Sequence, residues 1–178
     1  MTDGTLKSID ADDLDRKLTV EDRLIMAETI LAWADLDTGI SRLILLAFGL
    51  EDDLGSILIG NMDLKTKVEK IKMLYDHCGD SASASHLAKL STAIQKFSEC
   101  RNTVAHRKVI GRLISQPTRL VFLSAKHVKR QRGVFEMLNV DHAELIMSAK
   151  FAREASVRIH SMVINFEDSR DNSRNGKA

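Results

Sequence analysis

The chain has 178 residues, 44% of them apolar, 29% charged and 4% aromatic, with one proline and nine glycines; such a composition fits one sizeable aliphatic core crossed by long, unbroken helices. No stretch is apolar for long enough to span a bilayer, and the acidic N-terminus lacks the basic-then-apolar order of a secretion signal. Two cysteines, Cys78 and Cys100, are too few for a disulfide framework and read as reduced thiols, so a cytoplasmic protein with no membrane association is expected.

The net charge of +1 hides an asymmetry. Residues 1–63 hold 14 acidic and 5 basic side chains, whereas residues 96–132 hold ten Lys or Arg against Glu99 alone. Such a basic block either attracts a polyanion or neutralises the acidic end of the same chain or of a partner subunit.

Residues 1–18 are acidic and aperiodic and read as a flexible arm. Thr19, with Glu21 and Asp22 in the first turn, opens a helix. Its apolar positions, from Leu24, Ile25, Ala27, Ile30, Leu31 and Ala34 to Ile40, Leu43, Leu46 and Ala47, recur at helical spacing. Gly49 ends it, Asp35 to Gly39 is where it would kink, and Trp33 is a core or interface residue. Glu51 to Asn61 reads as a connection holding a short apolar turn. Asp63 caps a second helix bearing Val68, Ile71, Leu74 and Tyr75. After a Gly/Asp/Ser-rich loop, Ser83 is the expected cap of a third helix, from about Ala84 to about Val109, stopped by Gly111. Residues 119–123 and 133–140 have strand character around a basic turn, Lys126 to Arg132, and predict a β-hairpin or two extended segments. Asp141 with Glu144 resembles a capping box opening a last helix to about Asn165, and residues 166–178 read as a disordered polar tail. The expected fold is therefore mainly α. It is a single domain over 19–165, a bundle of four to five helices with a small irregular or β-hairpin insert before the last helix.

Most familiar chemistry is missing from the pattern. There is no phosphate-binding glycine loop, no dinucleotide fingerprint, no His-Glu-x-x-His, no nucleophile elbow and no Cys/His cluster, so neither a cofactor nor a metal is called for. What remains is Arg101-Asn102-Thr103-Val104-Ala105-His106, at the end of the third helix and inside the basic block. Arg153 and His160 repeat the residue types with less charge around them. Histidine can give or take a proton near neutral pH, and arginine forks onto phosphate oxygens at any pH. Those are the groups that RNA cleavage by 2′-hydroxyl attack needs, with Asn102 to orient a phosphate or the histidine. On one helix, however, Arg101 and His106 lie about 140° apart around the axis, so a partner helix would have to complete the pocket. In the bland reading Arg101 pairs with an acid and His106 ends a helix favourably. His86, His127, His142 and His160 read as surface or capping residues.

The RNTVAH segment resembles the signature of the HEPN superfamily, in which an Arg and a polar residue, often Asn, precede a His near a helix end. The layout over roughly 19–165 is similar: a long first helix, a second helix with a Lys-rich start (Asn61 to Lys67), the signature helix, an irregular stretch and a closing helix. The resemblance implies a dimer whose signature helices line a shared cleft, with Arg101 and His106 catalytic, Asn102 supporting and no metal. It further implies a metal-independent endoribonuclease of the toxin–antitoxin or defence type, with RNA as substrate and an antitoxin or other protein as a further partner. Family members without activity serve as modules that bind RNA, a nucleotide or a partner protein, and that remains the alternative. Lys108 stands where some members carry a Tyr. On either reading Arg107, Lys108, Arg112, Lys126, Lys129, Arg130 and Arg132 are the candidate RNA-binding cations.

Overall fold

The computed structural model describes residues 11–124 and 136–175. The described chain is mainly helical, with a small antiparallel sheet, most of it just before the last helix. After a single 3-10 turn (Ala11–Asp13) it runs β1 (Leu14–Asp15), α1 (Val20–Phe48), α2 (Asp52–Ile59), α3 (Leu64–His77) and α4 (Ser81–His106). Three strands, β2 (Lys108–Leu113), β3 (Arg119–Ser124) and β4 (Glu136–Asp141), then lead into α5 (His142–Asn175). Among the described residues, no helix is long and apolar enough to cross a membrane.

The helix ends follow local chemistry. Thr19 caps α1 reciprocally: the Asp22 amide donates to Thr19 Oγ1 at 3.1 Å and the Thr19 amide donates to Asp22 Oδ2 at 2.7 Å. Asp63 accepts from the Thr66 amide at 2.9 Å, and Asp141 accepts from the Ala143 amide while Glu144 reaches back to the Asp141 amide. At the far end of α1, Gly49 adopts φ 62° and the Leu50 amide closes onto the Leu45 carbonyl at 2.9 Å, which satisfies the last turn.

Several boundaries differ from expectation. Helix α1 runs through Asp35 to Gly39 without a break. The Asp35 carboxylate accepts a hydroxyl from Ser156 instead of competing for local amides, and a side chain on Gly39 would meet Ile159. The connection at Glu51 to Asn61 holds a true helix, α2. Helix α4 starts at Ser81 because Asp80, not Ser83, is the cap, accepting from the Ser83 amide at 3.0 Å. Gly111 does not end α4. The helix stops at His106, and Gly111 lies within β2, at φ 154°. Helix α5 continues to Asn175, ten residues past the expected end, and residues 14–15 of the expected arm form a strand.

The residues group into two compact units, Met1–Leu31 with Ser98–Ala149, and Ala32–Phe97 with Lys150–Ala178. The first holds the sheet, ordered β1-β2-β3-β4 with every neighbour antiparallel. Strands β3 and β4 pair from Arg119↔Asp141 to Ser124↔Glu136, as a hairpin requires. Between β2 and β3 the register shifts between Val109 and Gly111, a bulge. The core here is Leu120, Phe122, Val140 and Leu145, against which Leu18, Ile25, Met26, Cys100, Val104 and Val109 pack. The second unit is all helical, with Trp33, Leu36, Ile40, Leu43, Val68, Ile71, Leu87 and Ile159 buried. There Phe151 stacks on Phe97 at 4.8 Å between ring centroids and tilts against Trp33 at 5.8 Å.

Candidate active site

The last two turns of α4 have a clear inside and outside. Cys100, Thr103 and Val104 recur at positions i, i+3 and i+4; Thr103 is buried, and Cys100 and Val104 pack on the sheet core. Arg107 is the next residue on that face, and its amide still donates to the Thr103 carbonyl at 3.1 Å. Asn102, Ala105 and His106 are exposed and Arg101 is half-buried. With the inward face pinned, Arg101 and His106 flank the outward face on opposite sides, about 140° apart, with Asn102 and Ala105 between them.

Arg101 donates from Nη1 to Asn102 Oδ1 at 3.0 Å, so these two side chains are brought together. Among the described residues no bond joins Arg101 to His106. One helix thus presents the two candidate catalytic groups toward a common front without closing them on one point.

The surrounding cations divide. Lys108 is exposed. Arg107 is half-buried, and its Nη1 is buried without a hydrogen-bond partner, a costly state for a guanidinium nitrogen. Arg112 instead pairs with Asp15, its Nε and Nη2 both donating to Oδ2 at 3.2 and 3.1 Å. That bond and an amide from Lys17 hold the Asp15 carboxyl below its ordinary range, the Lys17 amide having the larger effect. Arg119 lies 3.8 Å from Asp141 and donates to Asn139. Part of the basic block therefore neutralises acids of its own chain. Lys126, Lys129, Arg130 and Arg132 lie outside the described residues.

Compared with family models, with curated proteins and with solved structures, the chain matches none. The site is accordingly read from its own residues.

Sequence reasoning missed several polar contacts. His142 is no free cap: its Nε2 lies 2.8 Å from Asp22 Oδ1, with Asp22 fully buried. Burial pushes the Asp22 carboxyl up, but the amide and hydroxyl of Thr19 and the His142 bond outweigh it and leave it lowered. His160 Nδ1 lies 2.9 Å from the Ser156 carbonyl oxygen. Lys67, read as part of a basic helix start, is buried and donates to Asp37 and to Ser41, each at 2.9 Å. One signal was available for Asp22: it falls on the same helical stripe as Thr29, Trp33, Leu36 and Ile40, and a carboxylate on a buried stripe needs a partner.

Proposed function

We propose that the chain is a HEPN-type endoribonuclease that works without a metal, cleaving RNA by attack of a 2′-hydroxyl on the adjacent phosphorus. The observation that carries the reading is the outward front of α4, where Arg101, Asn102 and His106 are exposed or half-exposed while Cys100, Thr103 and Val104 anchor the same turns in the core. In the proposed reaction a histidine removes the 2′-hydroxyl proton, the oxygen attacks phosphorus, and the bond to the 5′-oxygen breaks as a second acid protonates it. The products are a 2′,3′-cyclic phosphate and a 5′-hydroxyl. An arginine fork stabilises the extra negative charge that develops on the phosphoryl oxygens. Arg101 and His106 diverge on one helix, so the reading takes Arg101 from one copy and His106 from a second, with the signature helices facing each other across a two-fold axis. Lys108 lies beside this front and serves as a phosphate contact.

One observation favours the second reading, a non-catalytic module that binds RNA or a partner: Arg101 is engaged with Asn102 and not with His106. Incubation of the purified protein with mixed RNAs in EDTA separates the two. The first reading predicts cleavage leaving 2′,3′-cyclic phosphate ends, lost by about 100-fold or more in Arg101→Ala and in His106→Ala. Salt-dependent RNA binding with no cleavage supports the module, and cleavage equal in all three proteins removes these residues from the site.

A further inference from the structure

Arg107 continues the last turn of α4, since its amide donates to the Thr103 carbonyl at 3.1 Å. It falls on the side of Cys100, Thr103 and Val104, and Val109, two residues further on, packs on the sheet core. Its side chain is half-buried, and Nη1 is shut away from solvent without a hydrogen-bond partner. Other cations of the basic block are answered within the chain: Arg112 by Asp15, Arg119 by Asp141 and Asn139, and Arg101 by Asn102. Among the described residues no ion pair includes Arg107. The carbonyl end of α4 attracts a cation, but an exposed side chain gains that attraction equally, and it leaves Nη1 without an acceptor. A buried guanidinium nitrogen in this state costs stability and calls for a partner from outside the chain.

The surroundings point to the chemistry of that partner. Residues 96–132 hold ten Lys or Arg against Glu99 alone, a balance that concentrates anions. A guanidinium presents parallel N–H groups to two oxygens of one group, and phosphate oxygens fit that fork. We propose that Arg107 anchors a phosphate-binding site on the sheet side of the α4 end. Because the side chain is only half-buried, its guanidinium turns toward an entering anion, and no ion pair has to break for it to do so. The site is distinct from the front of α4. Around the helix axis Arg107 lies about 100° from His106 and about 120° from Arg101. The phosphate belongs to a nucleic-acid backbone or to a free nucleotide or phosphate ion, and the site does not depend on the ribonuclease reading.

Melting curves of the full chain test this in two ways. Arg107→Met keeps the aliphatic stem and removes the unanswered charge, so without added anions its melting temperature rises by about 2–6 °C. Three probes are then added, each against chloride at equal ionic strength: inorganic phosphate, AMP, and a short 2′-O-methyl RNA that cannot be cleaved by 2′-hydroxyl attack. At least one raises the wild-type melting temperature saturably, by about 3–6 °C at ten times its dissociation constant. A shift with phosphate or AMP identifies a free phosphate compound as the source, and a shift with the RNA alone identifies a strand backbone. The shift is absent in Arg107→Met and still present in Arg101→Ala and in His106→Ala. Arg107→Lys, which keeps the charge and loses the fork, binds the same probe about tenfold more weakly. A melting temperature unchanged or lowered in Arg107→Met shows the guanidinium to be satisfied within the fold and overturns the proposal. No shift beyond that of chloride, a shift equal in wild type and Arg107→Met, or an equal shift with acetate overturns it too. RNA cleavage is the separate readout of Arg101 and His106, so failure of either idea is seen apart from the other.

Discussion

Lys108 and Arg112 stand four residues apart on one strand and do opposite things. Lys108 is exposed, whereas Arg112 is held by Asp15. If the chain binds RNA as proposed, Lys108→Ala weakens that binding with its melting temperature unchanged, flattening the salt dependence by about one phosphate contact. Arg112→Ala is expected to lower the melting temperature and leave RNA affinity nearly intact. Titrations at several salt concentrations beside thermal melts compare the two. The thiols divide likewise. Burial, reinforced by Glu144 and Glu99, pushes the Cys100 thiol up to about 11, while Cys78 is exposed. Since the thiolate is the reactive form, iodoacetamide at pH 8 should label Cys78 rapidly and Cys100 only on unfolding. Rapid labelling of both in the folded protein would contradict the burial of Cys100. Asp22 sets an acid limit. Its carboxyl is lowered in the folded protein, so its contribution to stability is present above the unfolded value, about 3.9, and is lost as pH falls through the lower folded value. The melting temperature of the wild type should fall more steeply below about pH 4 than that of Asp22→Asn; parallel profiles would show that Asp22 carries no such linkage. None of these pairings was legible in the sequence beyond the caps. Asp15 and Arg112 are separated by 97 positions, and Asp22 and His142 by 120, and local periodicity carries no information over such distances.

At the scale of elements, caps and stops read well where the signal was local. Thr19, Asp63, Gly49 and the pair Asp141 and Glu144 act as their residue types direct. The reading failed where a tertiary contact decided. Gly111 looks like a helix stop in sequence, yet it is a strand residue over which the β1 backbone passes: a Cβ there would overlap the Asp15 carbonyl oxygen. Gly111→Ala is expected to cost about 1–3 kcal/mol, read by chemical denaturation, and to expose the amides that pair β1 with β2 to hydrogen exchange. An unchanged midpoint would mean that β1 does not hold this place. Helix α1 shows the other limit of pattern reading. Its apolar positions were correctly assigned to a helix, but they belong to two faces, and periodicity alone does not say which of two apolar faces the chain itself covers.

At the scale of the whole molecule, the expectation of a mainly helical protein with a β insert ahead of its last helix agrees with the structure. The asymmetry of charge has a partial structural answer, since Asp15 of the acidic end pairs with Arg112 of the basic block across β1 and β2. The candidate site is the opposite case: its six residues were legible, and one copy of the chain does not bring Arg101 and His106 together. The central claim is that they meet across two copies. Mixing tests it most directly. Arg101→Ala and His106→Ala proteins, each inactive alone, are denatured together, refolded and assayed for RNA cleavage in EDTA. If the site is shared, each mixed dimer keeps one intact pair, and activity returns to about a quarter of the wild-type value by statistical exchange. If the mixture stays as inactive as its components while wild-type protein treated in the same way recovers, the two residues do not form a site between copies, and the account is wrong at its centre.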